Sequence, residues 1–186
     1  FLMPFTYPED PLIQTYQKMF PGLFQPREAM PSFLQAHIRY PEDLFTWQVK
    51  AYLLYHMEDP VAFYNKADQW SLPNEIYFES TVPMLPYYVN MRLPGETTEE
   101  FILIQPFTPF ERKNMVAWVA ARTDGEHYGK LLAFTFPRAR QIDGPEQVEA
   151  RISNDGRIAE QFGLWRRAQT NVLRGNMMVI PIGKTL

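Results

Sequence analysis

Tyr88-Val89-Asn90-Met91-Arg92-Leu93-Pro94-Gly95, followed by Phe101-Ile102-Leu103-Ile104, decides the fold. In the first stretch Val89, Met91 and Leu93 alternate with Tyr88, Asn90 and Arg92. A period of two is the mark of a half-buried strand. Pro94-Gly95 turns the chain, and the unbroken apolar run after it predicts a central strand covered on both faces. Working C-terminally, Thr108-Pro109 with Glu111 reads as a capped short helix. Met115 to Arg122 reads as a strand, Thr123-Asp124-Gly125 as a turn, and Lys130 to Phe136 as the next strand. Gly144-Pro145 opens a helix to about Ile152, which Asp155-Gly156 breaks. Ile158, Phe162, Trp165 and Gln169 mark one face of another helix. Residues 176 to 182 are predicted to finish the sheet.

N-terminal to residue 70 the period is helical. Tyr7-Pro8-Glu9-Asp10 recurs letter for letter at Tyr40-Pro41-Glu42-Asp43, and Glu58-Asp59-Pro60 is a looser echo. Each stands before an apolar run with helical spacing. Proline suits a first helical position, and a carboxylate there caps backbone N–H groups and complements the dipole. These signals predict helices opening at Asp10-Pro11, Pro31, Pro41 and Asp59-Pro60. The third, from Pro41 to about Met57, carries Leu44, Phe45, Trp47, Val49, Tyr52, Leu53, Leu54 and Tyr55. Apolar around most of its circumference, it is expected to be buried on more than one side. The expectation is an α+β fold over residues 1–186 as a single domain. Its helix-rich part (8–70) packs on a mostly antiparallel sheet (76–182).

Composition sets limits on function. Of 186 residues, 46% are hydrophobic and 15% aromatic, which excludes a disordered chain. A net charge of −3 gives no reason to expect nucleic acid as a partner. The seven arginines of residues 138–174 stand among five acids and read as a salt-bridged face. With no cysteine, disulfides, thiolate metal sites and cysteine nucleophiles are excluded. The longest apolar run, Met115 to Ala121, has seven residues, far short of the roughly 18–20 that span a bilayer. The chain starts at Phe1 and stops just after an apolar run, so both ends are expected to be cuts in something longer.

No P-loop, nucleophile elbow or dinucleotide fingerprint occurs, and no cofactor is expected. His37, His56 and His127 lack the spacing of a metal site, and His37 and His56, in aromatic-rich helical segments, read as histidines bonded to carbonyls. Asn154-Asp155-Gly156 has too few oxygen ligands around it for calcium and reads as a turn. Among the aromatic residues, Trp70, Tyr77 and the Tyr87-Tyr88 pair are the candidates for surface contacts. The densest polar cluster is Asp124-Gly125-Glu126-His127-Tyr128-Gly129-Lys130. Asp124, Glu126, His127, Tyr128 and Lys130 form the candidate binding set, because flanking glycines allow close backbone approach. A hairpin needs the same glycines for backbone reasons alone.

Six segments together resemble an uncharacterised family of large multi-pass bacterial membrane proteins. They are Tyr40–Phe45, Pro86–Gly95, Phe107–Pro109 with Asn114–Trp118, Asp124–Leu132, Gly144–Ile152 and Arg174–Ile182. The resemblance spans most of residues 7–182. It implies that transmembrane helices precede a large soluble region outside the cytoplasm, of which this chain is a piece. The partners it implies are the transmembrane part and the remaining soluble parts of the parent. It carries no activity to any residue here. The expected function is a non-catalytic extracytoplasmic interaction or ligand-sensing domain, taking a small ligand or envelope component. The alternative is a hydrolase or transferase acting on envelope polymers. It requires two carboxylates facing across a pocket within roughly 5–10 Å, with Asp124, Glu126 and Glu149 as candidates.

Overall fold

A computed structural model describes residues 5–6, 10–77, 80–137, 139, 141–167 and 172–180. The chain divides into two compact units, Phe1–Arg39 and Tyr40–Leu186. In the first, strand β1 (Phe5–Thr6) pairs in parallel with β2 (Gln25–Pro26). Between them lies helix α1 (Pro11–Met19), and helix α2 (Ser32–Gln35) follows. The Asp10 carboxylate caps α1 by accepting the Leu12 and Ile13 N–H groups. The second Tyr-Pro-Glu-Asp copy works differently. Pro41 precedes α3 (Glu42–Tyr55) without a side-chain cap, and Glu42 and Asp43 lie in the first turn. Helix α4 (Pro60–Asn65) regains the cap, Asp59 accepting the Ala62 N–H.

Among the described residues of the second unit, nine strands follow α4. They are β3 (Trp70–Ser71), β4 (Asn74–Tyr77), β5 (Ser80–Pro83), β6 (Tyr87–Arg92), β7 (Glu99–Pro109), β8 (Asn114–Met115), β9 (Ala117–Arg122), β10 (Leu131–Thr135) and β11 (Ile142–Asp143). Helices α5 (Pro145–Asn154) and α6 (Gly156–Arg167) close the series. The fold is α+β, as the change of period predicts. Every strand pairing in this unit is antiparallel. The central sheet runs β10-β9-β7-β3, and β6 shares with β3 the second edge of β7.

The long strand β7 explains the apolar run. Leu103 and Phe107 join Val119 and Ala121 on one face, where Phe45 and Val49 of α3 cover them. Ile102 and Ile104 join Trp118 and Ala120 on the other, over Leu93, Met115 and Phe136. With both faces covered, polar alternation disappears even though the sheet is antiparallel.

Four expectations need correction. Thr108-Pro109 does not start a helix, because β7 runs through it. Phe101 and Phe107 give their carbonyls to Thr123 and Val116 on the β9 side. Pro106, one step out of phase, therefore faces the other edge. There its missing N–H falls between the end of β6 pairing at Ile104 and the start of β3 pairing at Thr108. Residues 176–180 form no strand. They join no ladder, and Met178, Val179 and Ile180 pack on the second core cluster. Pro181 and Ile182 lie outside the described residues, as does Gln169. Helix α3 buries one side only, with Phe45 and Val49 its fully buried residues. Trp70 is core rather than surface.

Candidate functional site

The Asp124–Lys130 loop joins β9 to β10. Gly125 (φ 56°) and Gly129 (φ 85°) adopt the left-handed conformation that closes it. Arg122 N–H donates to the Lys130 carbonyl, and Gly129 N–H donates to that of Arg122. Asp124 turns inward, its carboxylate accepting the Phe101 N–H at 2.7 Å, which ties the loop to β7. His127 stands between the Glu126 carboxylate (3.7 Å) and the Lys130 ammonium (3.1 Å). The Tyr128 ring lies against that of Tyr40. The fold thus gathers Glu126, His127 and Lys130 and assigns Asp124 to the backbone.

Beneath this loop lies a buried ion cluster. Arg122, only 5% exposed, makes a two-pronged contact with Glu100 and donates to Glu96 at 2.9 Å. The Glu100 hydrogen bond is the largest influence raising the Arg122 pKa, so the guanidinium stays charged.

A second set of acids lies where α5 meets β4. Glu149 is buried and held by Arg174, and it accepts the Ser153 hydroxyl. Glu75 is buried and accepts the Tyr87 hydroxyl and the Met177 N–H. Burial and then the Glu75 carboxylate push the Tyr87 phenol well above its usual range. Glu146 binds Lys113 at 2.9 Å and Asn74 at 3.1 Å. Burial opposes its ionisation, but Lys113 and Asn74 outweigh it and hold the carboxyl below the usual range.

His37 and His56 behave as the sequence predicts. The His37 ring contacts the Phe33 carbonyl, and His56 contacts those of Tyr52 and Asp68 while stacking on Trp70 at 3.7 Å. Asp155 caps α6 by accepting the Arg157 and Ile158 N–H groups, which makes Asn154-Asp155-Gly156 a turn. Tyr87 and Tyr88 are half-buried and bonded inward, Tyr88 to the Tyr40 carbonyl.

Two surface features escaped the sequence reading. The first is a cleft of about 600 Å³, lined among others by Lys66, Gln69, Phe110, Arg112, Asn114 and Gln141. Two non-glycine residues at its margin are left-handed: Lys66 (φ 53°) at the end of α4, and Glu111 (φ 59°) in the turn after β7. Each position costs roughly 1–2 kcal/mol relative to ordinary backbone. Such strain is a pointer to function. No sequence signal marks it, because Lys66 and Glu111 stand where a glycine is the usual residue.

The second is the outer side of α3. Leu44, Trp47, Ala51 and Tyr55 form a stripe at i, i+3, i+7 and i+11. Trp47 is 71% exposed and Tyr55 73%. Phe63 of α4 extends it, its ring 5.4 Å from that of Tyr55. A helical wheel of the sequence contains this second stripe. From the sequence it is expected to be core, because all-round apolar helices are usually buried.

The comparisons with known proteins agree with one another. A model of the family described as "Uncharacterised protein family (UPF0182)" matches residues 5–165. A UPF0182 protein of Pelotomaculum thermopropionicum is 54% identical over 177 residues, covering 95% of this chain and 19% of the relative. One of Synechococcus elongatus is 52% identical over 179 residues, covering 96% of this chain and 19% of the relative. One of Moorella thermoacetica is 53% identical over 179 residues, covering 96% and 20%. The chain spans about a fifth of the length of these relatives. No solved structure matches it. Among the described residues, no helix is long and apolar enough to cross a membrane.

Proposed function

The chain belongs to the uncharacterised protein family UPF0182, and we propose that it is a non-catalytic interaction module of a larger membrane-anchored protein, on the extracytoplasmic side. The observation that carries this reading is the apolar stripe Leu44–Trp47–Ala51–Tyr55, extended by Phe63. A contiguous exposed apolar surface on a folded domain marks a docking face. Its occupant is another part of the same polypeptide. Relatives about five times longer align with this chain over nearly its full length, so most of the polypeptide lies beyond it. Lys50 stands over the Trp47 ring at 5.3 Å, a polar edge of the kind that rims interfaces.

The carboxylates favour this reading over hydrolysis or group transfer. Asp124 serves the Phe101 N–H, and Glu149 serves Arg174 and Ser153. Glu126 is exposed beside His127. Asp124 and Glu149 are occupied in holding the fold, and Glu126 lies on open surface.

The test is a photo-crosslinking amino acid at position 47 of the full-length parent. Crosslinks into the remainder of the same polypeptide are expected. Trp47→Glu with Tyr55→Glu should abolish them while leaving the melting temperature of the isolated chain within about 1 °C, since both side chains are exposed. A stripe that crosslinks to nothing in the parent refutes the proposal.

A further inference from the structure

We propose that the cleft beside α4 binds a small hydroxyl-rich ligand through an oxyanion, a phosphate or carboxylate, held by Lys66 and Arg112. Three observations on the cleft lead there. The first is charge. Lys113, Arg122, Arg151 and Arg174 each hold a carboxylate. Among the described residues, Lys66 and Arg112 hold none. Asp68, the carboxylate on the same wall, already has a partner of its own. The cleft therefore presents an ammonium and a guanidinium, neither of them ion-paired to a carboxylate among the described residues, with the Asp68 and Glu111 carboxylates close by. A guanidinium fork matches the paired oxygens of a phosphate or carboxylate, and an ammonium adds a point charge.

The second is hydrogen-bonding capacity. Several side-chain amides elsewhere serve the fold: Gln35 donates to the Met30 carbonyl, Gln48 accepts from Tyr40, and Gln147 accepts from the Gly144 N–H. In the cleft, the side-chain amides of Gln69, Asn114 and Gln141 have no partner among the described residues. Amides both donate and accept, which suits hydroxyl groups. The half-exposed Phe110 ring at the rim offers an apolar face for a sugar or similar ring.

The third is the backbone. Lys66, which lines the cleft, and Glu111, which stands between its lining residues Phe110 and Arg112, keep a conformation that glycine adopts freely. Glu111 is the third residue of the turn that Arg112 N–H closes onto the Pro109 carbonyl, so its conformation sets the direction in which Arg112 leaves the sheet. Lys66 closes α4 by donating to the Phe63 carbonyl. The strained residues are the ones that carry or aim the two cations.

The experiment is an NMR titration of the 186-residue chain with glucose 6-phosphate, glucuronate, inorganic phosphate, glucose and sodium sulfate. Glucose 6-phosphate or glucuronate should shift Lys66, Gln69, Arg112 and Asn114 and saturate, and whichever binds tighter identifies the oxyanion. Inorganic phosphate should act on the same residues more weakly, and glucose alone should not. Arg112→Gln should weaken binding at least tenfold. Lys66→Gly should weaken it while raising the melting temperature by about 2–4 °C, because it removes a left-handed side chain. The inference is overturned if sulfate matches glucose 6-phosphate, if glucose binds as well as the anions, or if neither substitution changes affinity. Shifts confined to Asp124–Lys130 also overturn it, and assign ligand binding to that loop instead.

Discussion

Replacing Gly144 by alanine adds one methyl group, and the structure predicts an outsized cost. A Cβ on Gly144 meets the Lys113 carbonyl oxygen far inside van der Waals contact, and its carbon at 3.1 Å. Both partners are backbone, so no side chain can rotate away, and the strands must separate by about an ångström. The two-residue ladder Ile142↔Met115 and Asp143↔Asn114 spans this point, and the Gly144 N–H is bonded to the Gln147 side chain. Overpacking costs about 1–3 kcal/mol. Each hydrogen bond loosened adds roughly 0.5–1.5 kcal/mol. The sum is about 3 kcal/mol, or a fall of roughly 6–12 °C in melting temperature for a domain of this size. Gly156→Ala is the control. It adds the same methyl at the start of α6, where nothing lies within 4 Å, and should raise stability by roughly 0.4–1 kcal/mol. Differential scanning calorimetry of the two variants gives the answer. If Gly144→Ala melts within about 1 °C of the parent chain while Gly156→Ala is stabilised, the close approach of Lys113 and Gly144 is wrong.

Other substitutions probe the buried polar groups. Arg122→Met leaves Glu100 buried without its cation and should cost about 3–5 kcal/mol by urea denaturation. Gln105→Met removes a carbonyl oxygen buried without a hydrogen-bond partner but also the amide that donates to the Pro106 carbonyl at 3.3 Å, so the two effects offset and stability should change by less than about 1 kcal/mol in the same assay. The depressed Glu146 carboxyl contributes stability that is complete above its unfolded pKa, about 4.3, and is lost as pH falls through the lower folded value. Glu146→Gln should therefore flatten the acid limb of melting temperature against pH. The raised Tyr87 phenol contributes below about pH 10 and loses that contribution as pH climbs towards the folded value, so Tyr87→Phe should flatten the alkaline limb.

The features legible in the sequence were those set by neighbours along the chain. The Asp10 and Asp59 caps, the Pro94-Gly95 turn, the alternation of Val89, Met91 and Leu93, and the carbonyl-bound histidines depend on residues a few positions apart. Those that depend on distant partners were not legible. Pro109 continues a strand because the Gln69 carbonyl accepts the next N–H, that of Phe110. Asn176 to Ile180 has strand composition, yet it is held by Glu75, through the Met177 N–H, and by the packing of Met178, Val179 and Ile180 rather than by a ladder. The α3 stripe was visible as apolar residues, but nothing in the chain says which side a sheet will cover. The cleft was hidden for the same reason: Lys66, Arg112 and Gln141 come from three separate connections.

The segment from Leu173 to Ile180 also determines how the domain bears load. A strand pulled along its length in a ladder such as β6–β7 strains several backbone bonds at once. This segment is fixed by separate contacts: the Glu149–Arg174 ion pair, the Met177 N–H on Glu75, and the packing of Met178, Val179 and Ile180 on the second core cluster. Tension applied from its C-terminal side loads the apolar contacts of Ile180, Val179 and Met178 first, then the Met177 bond, and the Arg174 pair last. Each step peels a small contact from an intact sheet. The segment is a ripcord, able to come away while the domain beneath it stays folded.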